Sequence, residues 1–150
     1  MPKPPPGMCV VGGALPVAGA GPAMEKFGGG NYTAAWDGDV QTFYDYSQAD
    51  GGWTEAQLTA AAAITHVEFY PRADFLQRHV VGGKFVGLRA DKTEITLGTI
   101  SHTPMLGWNS VAVSAVAVAE VVRVKYEGTD GSFGNIAEIK LYQKCAGPAV

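Results

Sequence analysis

Cysteine occurs only twice in the 150 residues, at Cys9 and Cys145, and charged side chains make up just 17% of the chain. Two cysteines alone make no zinc site. The 11 Lys and Arg are scattered, which leaves no basic stripe for a phosphate backbone and no polybasic patch for a membrane surface, and the net charge of -3 selects no partner. Long apolar runs are missing as well: Ala60 to Ile64 and Val111 to Ala119 fall well short of the roughly 20 residues of a spanning helix. Catalytic signatures are absent too. There is no Gly-x-Ser-x-Gly elbow, no His-Glu-x-x-His, no phosphate loop and no Cys-His nucleophile pattern. Lys3 ahead of Met8 to Ala20 has a faint signal-peptide character, but Pro4 to Pro6 and the many Gly spoil its apolar stretch.

What the chain does contain is 47% apolar residues, enough for one domain with one core. The 20 Gly and 9 Pro cut it into short segments of β-type composition, and no window sustains helical periodicity. Expected strands are Met8 to Val11, Gln41 to Tyr44, Trp53 to Leu58, Ile64 to Tyr70, Lys84 to Ala90, Glu94 to Ile100, Asn109 to Val113, Val121 to Tyr126 and Ala137 to Tyr142. Alternation places Val122, Val124 and Tyr126 on one face and Arg123 and Lys125 on the other; Ala137, Ile139 and Leu141 likewise oppose Glu138, Lys140 and Tyr142. Thr54 to Ile64 competes as a helix on propensity, but its alternation favours a strand to Leu58 and a connection through Ala60 to Ala63. Short strands with Gly-rich turns imply an all-β sandwich or jelly roll. The domain is placed at residues 8–146, with residues 1–7 as a linker and 147–150 as a tail.

Cys9 and Cys145 bracket nearly the whole domain. They form either a disulfide, whose long loop would contribute about 4 kcal/mol, or two buried thiols. A bridge and the sequon Asn31-Tyr32-Thr33 both suit an oxidising, secreted setting. The segment Ala34-Ala35-Trp36-Asp37-Gly38-Asp39-Val40-Gln41-Thr42 sets two carboxylates around a glycine. Such a loop suits Ca²⁺, which takes six to eight oxygens, although Asp-Gly is also an ordinary turn pair. As metal ligands these carboxylates have a better use than as a glycosidase pair.

Several segments, in order, resemble the discoidin or coagulation-factor type C family, part of the galactose-binding-like superfamily that includes family 32 carbohydrate-binding modules. They are Ala35 to Asp39 with Thr42, Gly52-Trp53, Phe69-Tyr70-Pro71-Arg72, Arg78 to Phe85, Val124 to Gly128, and Gly134 to Ile139. The resemblance implies a jelly roll of about eight antiparallel strands, a terminal disulfide between Cys9 and Cys145, and a structural Ca²⁺. Asp37 and Glu138 would supply carboxylates, Thr42 its hydroxyl and carbonyl, and Ala34, Asp39 and Ala137 backbone carbonyls. That role gives Glu138, opposite the apolar face of its strand, the cation its charge needs.

The same resemblance implies a non-catalytic carbohydrate-binding module or lectin domain, extracellular or at the cell surface, that targets a parent protein with a catalytic or scaffold domain to glycans. A protein-interaction or adhesion role is the alternative. Few loop aliphatics argue against membrane insertion. Arg72 matches the family's sugar-binding arginine, Gln77 lies where its amide falls, Arg78 follows, and Tyr44, Tyr46 and Phe133 offer ring faces. The family's histidine is replaced here by Tyr44 or Asp45, which puts galactose specificity in question. His66, His79 and His102 read as packing residues.

Overall fold

The structure, a computed structural model, describes residues 8–11, 34–46, 48–72, 77–114 and 120–144. Among them are seven strands: β1 (Met8–Val11), β2 (Trp53–Tyr70), β3 (Lys84–Leu88), β4 (Glu94–Thr99), β5 (Asn109–Ala112), β6 (Glu120–Glu127) and β7 (Glu138–Lys144). All pairings are antiparallel, in the order β1-β7-β2-β6-β3-β4, with β5 added to β2. The disulfide expectation lies outside the described residues, because Cys145 does, as does the sequon.

The sandwich turns on β2. Its first part pairs with β6, and its last residues pair with both β7 and β5, so one strand serves two four-stranded layers. Trp53 to Leu58 and Ile64 to Tyr70 are therefore not two strands joined by a turn. No Gly or Pro interrupts the stretch, and Ala60 to Ala63 are small enough to pass through the bend without crowding. Irregularities accommodate the change of partner. Four residues, Leu58 to Ala61, bulge between the pairs Gln57↔Arg123 and Ala62↔Val121, and Thr65 bulges against β7. The second shifts the inward set from Ala56, Leu58, Ala62 and Ile64 to Val67 and Phe69, as a one-residue insertion must.

The core lies between the layers and includes Trp36, Tyr44, Ile64, Phe69, Phe85, Val124, Tyr126 and Leu141. In β6, Val124 and Tyr126 face inward as the alternation requires, but Val121 rather than Val122 is fully buried, because the pairing shifts there. In β7 both faces are covered: Ile139 and Leu141 enter the core, while Tyr142 bonds Glu68 and Lys140 lies 4.4 Å from the Trp108 ring centroid. Gln41 to Tyr44, expected as a strand, is a turn in which only Tyr44 bridges to Ile136.

Candidate functional site

The loop before Tyr44 is built by its own polar side chains. A buried 3₁₀ turn, Ala34–Trp36, is anchored by Trp36 Nε1 donating to Thr54 Oγ1 at 3.0 Å. Asp37 Oδ1 accepts from Asp39 N and Asp39 Oδ1 from Gln41 N, each at 2.9 Å, successive Asx turns around Gly38 at φ +81°. Thr42 Oγ1 donates to Asp37 Oδ2 at 2.6 Å and lies 3.0 Å from Asp39 O and 3.5 Å from Ala34 O. Across from them, Glu138 on β7 accepts from Gly38 N at 3.0 Å through Oε2. Its Oε1 is buried with no hydrogen-bond partner among the described residues. Burial pushes the Glu138 carboxyl up to about 9, with Asp37 adding to the rise and Gly38 N–H and Lys140 opposing it.

Oxygens from Ala34, Asp37, Asp39, Thr42 and Glu138 thus gather within one loop and the start of β7. Among the described residues no three His, Cys, Asp or Glu side chains form a metal-holding group. The gathered set instead pairs two carboxylates with carbonyls and a hydroxyl, a donor set of the hard, all-oxygen kind that Ca²⁺ takes. The buried, unpartnered Glu138 Oε1 adds an acceptor whose charge a hard cation would neutralise.

The chain passes directly from Thr42 into a second cluster. Pro71 ends β2 for lack of an N–H, and Arg72 follows. Arg72 Nη1 bonds Asp45 Oδ2 at 2.8 Å, and the guanidinium lies 3.7 Å from the Phe43 ring centroid. The arginine side chain keeps 22% exposure, whereas that of Asp45 keeps 6%. Burial raises the Asp45 carboxyl to about 6, with Arg72 and the Asn135 amide pulling it back. Asp45 Oδ1 is buried and without a hydrogen-bond partner among the described residues.

Two loops enclose this pair. Tyr46 N donates to Phe133 O at 2.8 Å, and Ala49 O accepts from Gly131 N and Phe133 N, each at 3.0 Å. The loops come so close that a Cβ on Gly52 would stand 3.0 Å from Gly134 Cα. Tyr46 and Phe133 are half-buried rings on this rim. Tyr44 is not a rim residue: it is wholly buried in the core, and burial raises its phenol far above the usual range. Gln77 and Arg78 lie in a 3₁₀ turn, Gln77–Val80, with their side chains outside the described parts.

Sequence reasoning missed three members. Phe43 stands beside its tyrosine neighbours, and a ring four residues on from Asp39 carries no spacing signal. His79, read as packing, and Asn135, fully buried, are joined by Asn135 Nδ2 to His79 Nδ1 at 2.9 Å.

A two-layer antiparallel sandwich with an oxygen-rich loop beside a cluster of Arg, carboxylate and rings defines the class of discoidin-like binding modules. No protein-family model matches the chain, and no curated protein does. Among solved structures, the CBM62 domain of Clostridium thermocellum Xyl5A is 30% identical with a TM-score of 0.74, the alignment covering 89% of this chain and 100% of that one. The chain belongs to this family, the galactose-binding-like carbohydrate-binding modules. The family 32 module of C. perfringens NanJ, solved in complex with galactose, shares the fold at 15% identity and a TM-score of 0.73, covering 91% of this chain and 99% of that one. The lectin domain of Lectinolysin, complexed with Lewis B antigen, does so at 17% and 0.73, covering 89% and 97%.

Proposed function

We propose that the protein is a non-catalytic glycan-binding module in which Arg72, held in place by Asp45, receives adjacent hydroxyls of a sugar ring. Tyr46 and Phe133 flank the ring, with Gln77 and Arg78 beside them. The observation that carries this reading is the Arg72–Asp45 pair held over Phe43, with the guanidinium still partly open to solvent. The partly open guanidinium donates to two neighbouring oxygens of a vicinal diol, while the buried Asp45 carboxylate holds it in that orientation. Family membership and the sugar complexes of fold relatives support a galactose-type ligand.

A Ca²⁺ held by Asp37, Thr42 and Glu138, with carbonyls of Ala34, Asp39 and Ala137, completes the proposal. When bound, it would neutralise the two carboxylates and tie the loop to β7. The chain's own part is to orient that loop so that Phe43, next to Thr42, stays under Arg72. Such a module would target a parent protein to glycans outside the cell or at its surface.

Calorimetric titration with galactose, GalNAc-β-1,3-galactose and Lewis b tests the reading. Wild-type protein is expected to bind at least one of them, and Arg72→Ala to lose at least about 30-fold, since removing one partner of a desolvated charge pair costs about 2 kcal/mol or more. Absence of binding to all three, or undiminished binding by Arg72→Ala, rejects it.

A further inference from the structure

We infer that the glycan site continues into a groove along the 129–132 turn, where further sugar rings of an oligosaccharide are held by hydrogen bonds without stacking. The inference rests on the glycan-binding reading and adds the length of the ligand to it. One part of the groove is a pocket of about 330 Å³ lined by His79, Val81, Thr103, Thr129, Asp130 and Ser132, together with Gly131. A second, of about 260 Å³, shares Thr129 and Asp130 and runs on past Lys84 and Glu127. The two pockets share Thr129 and Asp130, so both lie against the same turn, within reach of successive rings of one oligosaccharide.

The groove adjoins the Arg72 cluster through buried amide chemistry. Asn135 stands beside Asp45 on one side, and on the other its Nδ2 donates to His79 Nδ1 and to Ser132 O, each at 2.9 Å. A carbonyl only accepts, so the Ser132 contact fixes which Asn135 atom is the nitrogen. His79 Nδ1 meets the same amide nitrogen, which ties the ring to the pocket floor. The pocket wall is therefore an anchored imidazole together with Thr and Ser hydroxyls and the exposed Asp130 carboxylate.

This lining selects the ligand class. No Phe, Tyr or Trp and only one aliphatic side chain, Val81, line the first pocket, which disfavours apolar ligands. Asp130 and Glu127 outnumber Lys84, which disfavours polyanions. Alternating donors and acceptors suit the edges of polyhydroxylated rings. The turn is also preorganised: Gly131 N donates to Asp50 Oδ1 at 2.8 Å and Gly134 N to Ser132 Oγ at 3.0 Å, which lowers the ordering cost of binding.

The test compares methyl β-galactoside with galactose-terminated di- to pentasaccharides by calorimetry, on wild type, Asp130→Ala and Thr103→Trp, both at exposed positions. Wild type is expected to bind at least one oligosaccharide about tenfold more tightly than the methyl galactoside. Both variants are expected to keep the wild-type affinity for the methyl galactoside and to lose that gain. Oligosaccharides no tighter than the methyl galactoside on wild type, or a gain that survives both substitutions, overturns the groove. If no sugar binds at all, the glycan-binding reading itself falls, and the groove with it.

Discussion

Glu138 and Asp45 are both acidic and almost equally buried, at 3% and 4% exposure, yet the protein treats them differently. Asp45 has a guanidinium at 2.8 Å, and its carboxyl rises only to about 6, so it is ionised at neutral pH and holds Arg72 in place. Glu138 has one backbone N–H and Asp37, another acid, beside it, and rises to about 9. Burial drives both upward; the partner decides the outcome. A carboxylate that the chain pairs internally serves as a fixed part of a binding surface, and one that it leaves unpaired calls for a partner from solution.

The largest effect expected from this contrast is on stability. A cation that binds only the folded protein at 100 times its dissociation constant adds about 2.7 kcal/mol. For a chain of this size that is about 5 to 10 °C in Tm. Scanning calorimetry with Ca²⁺ and with chelator is expected to differ by that amount, and Glu138→Gln to abolish the difference. The sign with pH is fixed as well. Without metal, the folded carboxyl of Glu138 lies above its ordinary value of 4.5, so its contribution is full below that value and is lost as pH rises through about 9. With Ca²⁺ bound the ionised form is the one held, so the chelator effect should grow from pH 5 to pH 8. Identical melting curves would mean that Glu138, like Asp45, needs no partner from solution.

A second effect, about tenfold, separates binding from stability at Asp45. Its folded carboxyl lies above the ordinary 3.8, so its contribution to stability is present below that value and declines as pH rises through about 6. Sugar binding should run the opposite way. Protonation removes the charge that fixes Arg72, and affinity for a galactoside is expected to fall about tenfold for each pH unit below 6. Asp45→Asn should flatten that profile. A profile unchanged between pH 7 and pH 5 would mean that the Asp45 charge does not hold Arg72 for the ligand.

Much of this was legible in the sequence, for definite reasons. Glu138 stands opposite Ile139 and Leu141 in an alternating strand, so its isolation from the core-facing set could be read from period two alone. The Asp37-Gly38-Asp39 turn, with Thr42, is a local pattern whose geometry the side chains themselves enforce. Arg72 follows a Pro that ends a strand. The unity of β2 was not legible, because bulges at Leu58 to Ala61 and at Thr65 reset the alternation, and the Ala run reads equally well as a break. Nor was the sorting of Tyr44 from Tyr46. In a loop with no period, only the Tyr44↔Ile136 bridge determines which ring turns inward. Asn135 and His79 meet across 56 positions, a contact that no local pattern encodes.

The smallest expected effect tests whether the floor beneath Arg72 matters as much as its partner. Phe43 sits next to Thr42 of the cation loop and under the guanidinium of the sugar-facing cluster, so it is the physical link between the two regions. A cation–π contact at a partly exposed site contributes about 0.5 to 1 kcal/mol. Phe43→Leu keeps apolar volume and removes the ring quadrupole, so galactoside affinity should fall about two- to fivefold with little change in Tm. The link also makes a directional claim: chelator should weaken binding by a similar factor in wild type, because a loosened loop no longer holds the ring in place, and should weaken it no further in Phe43→Leu. If the two losses simply multiply, the cation and the sugar site are independent, and the loop between them transmits nothing.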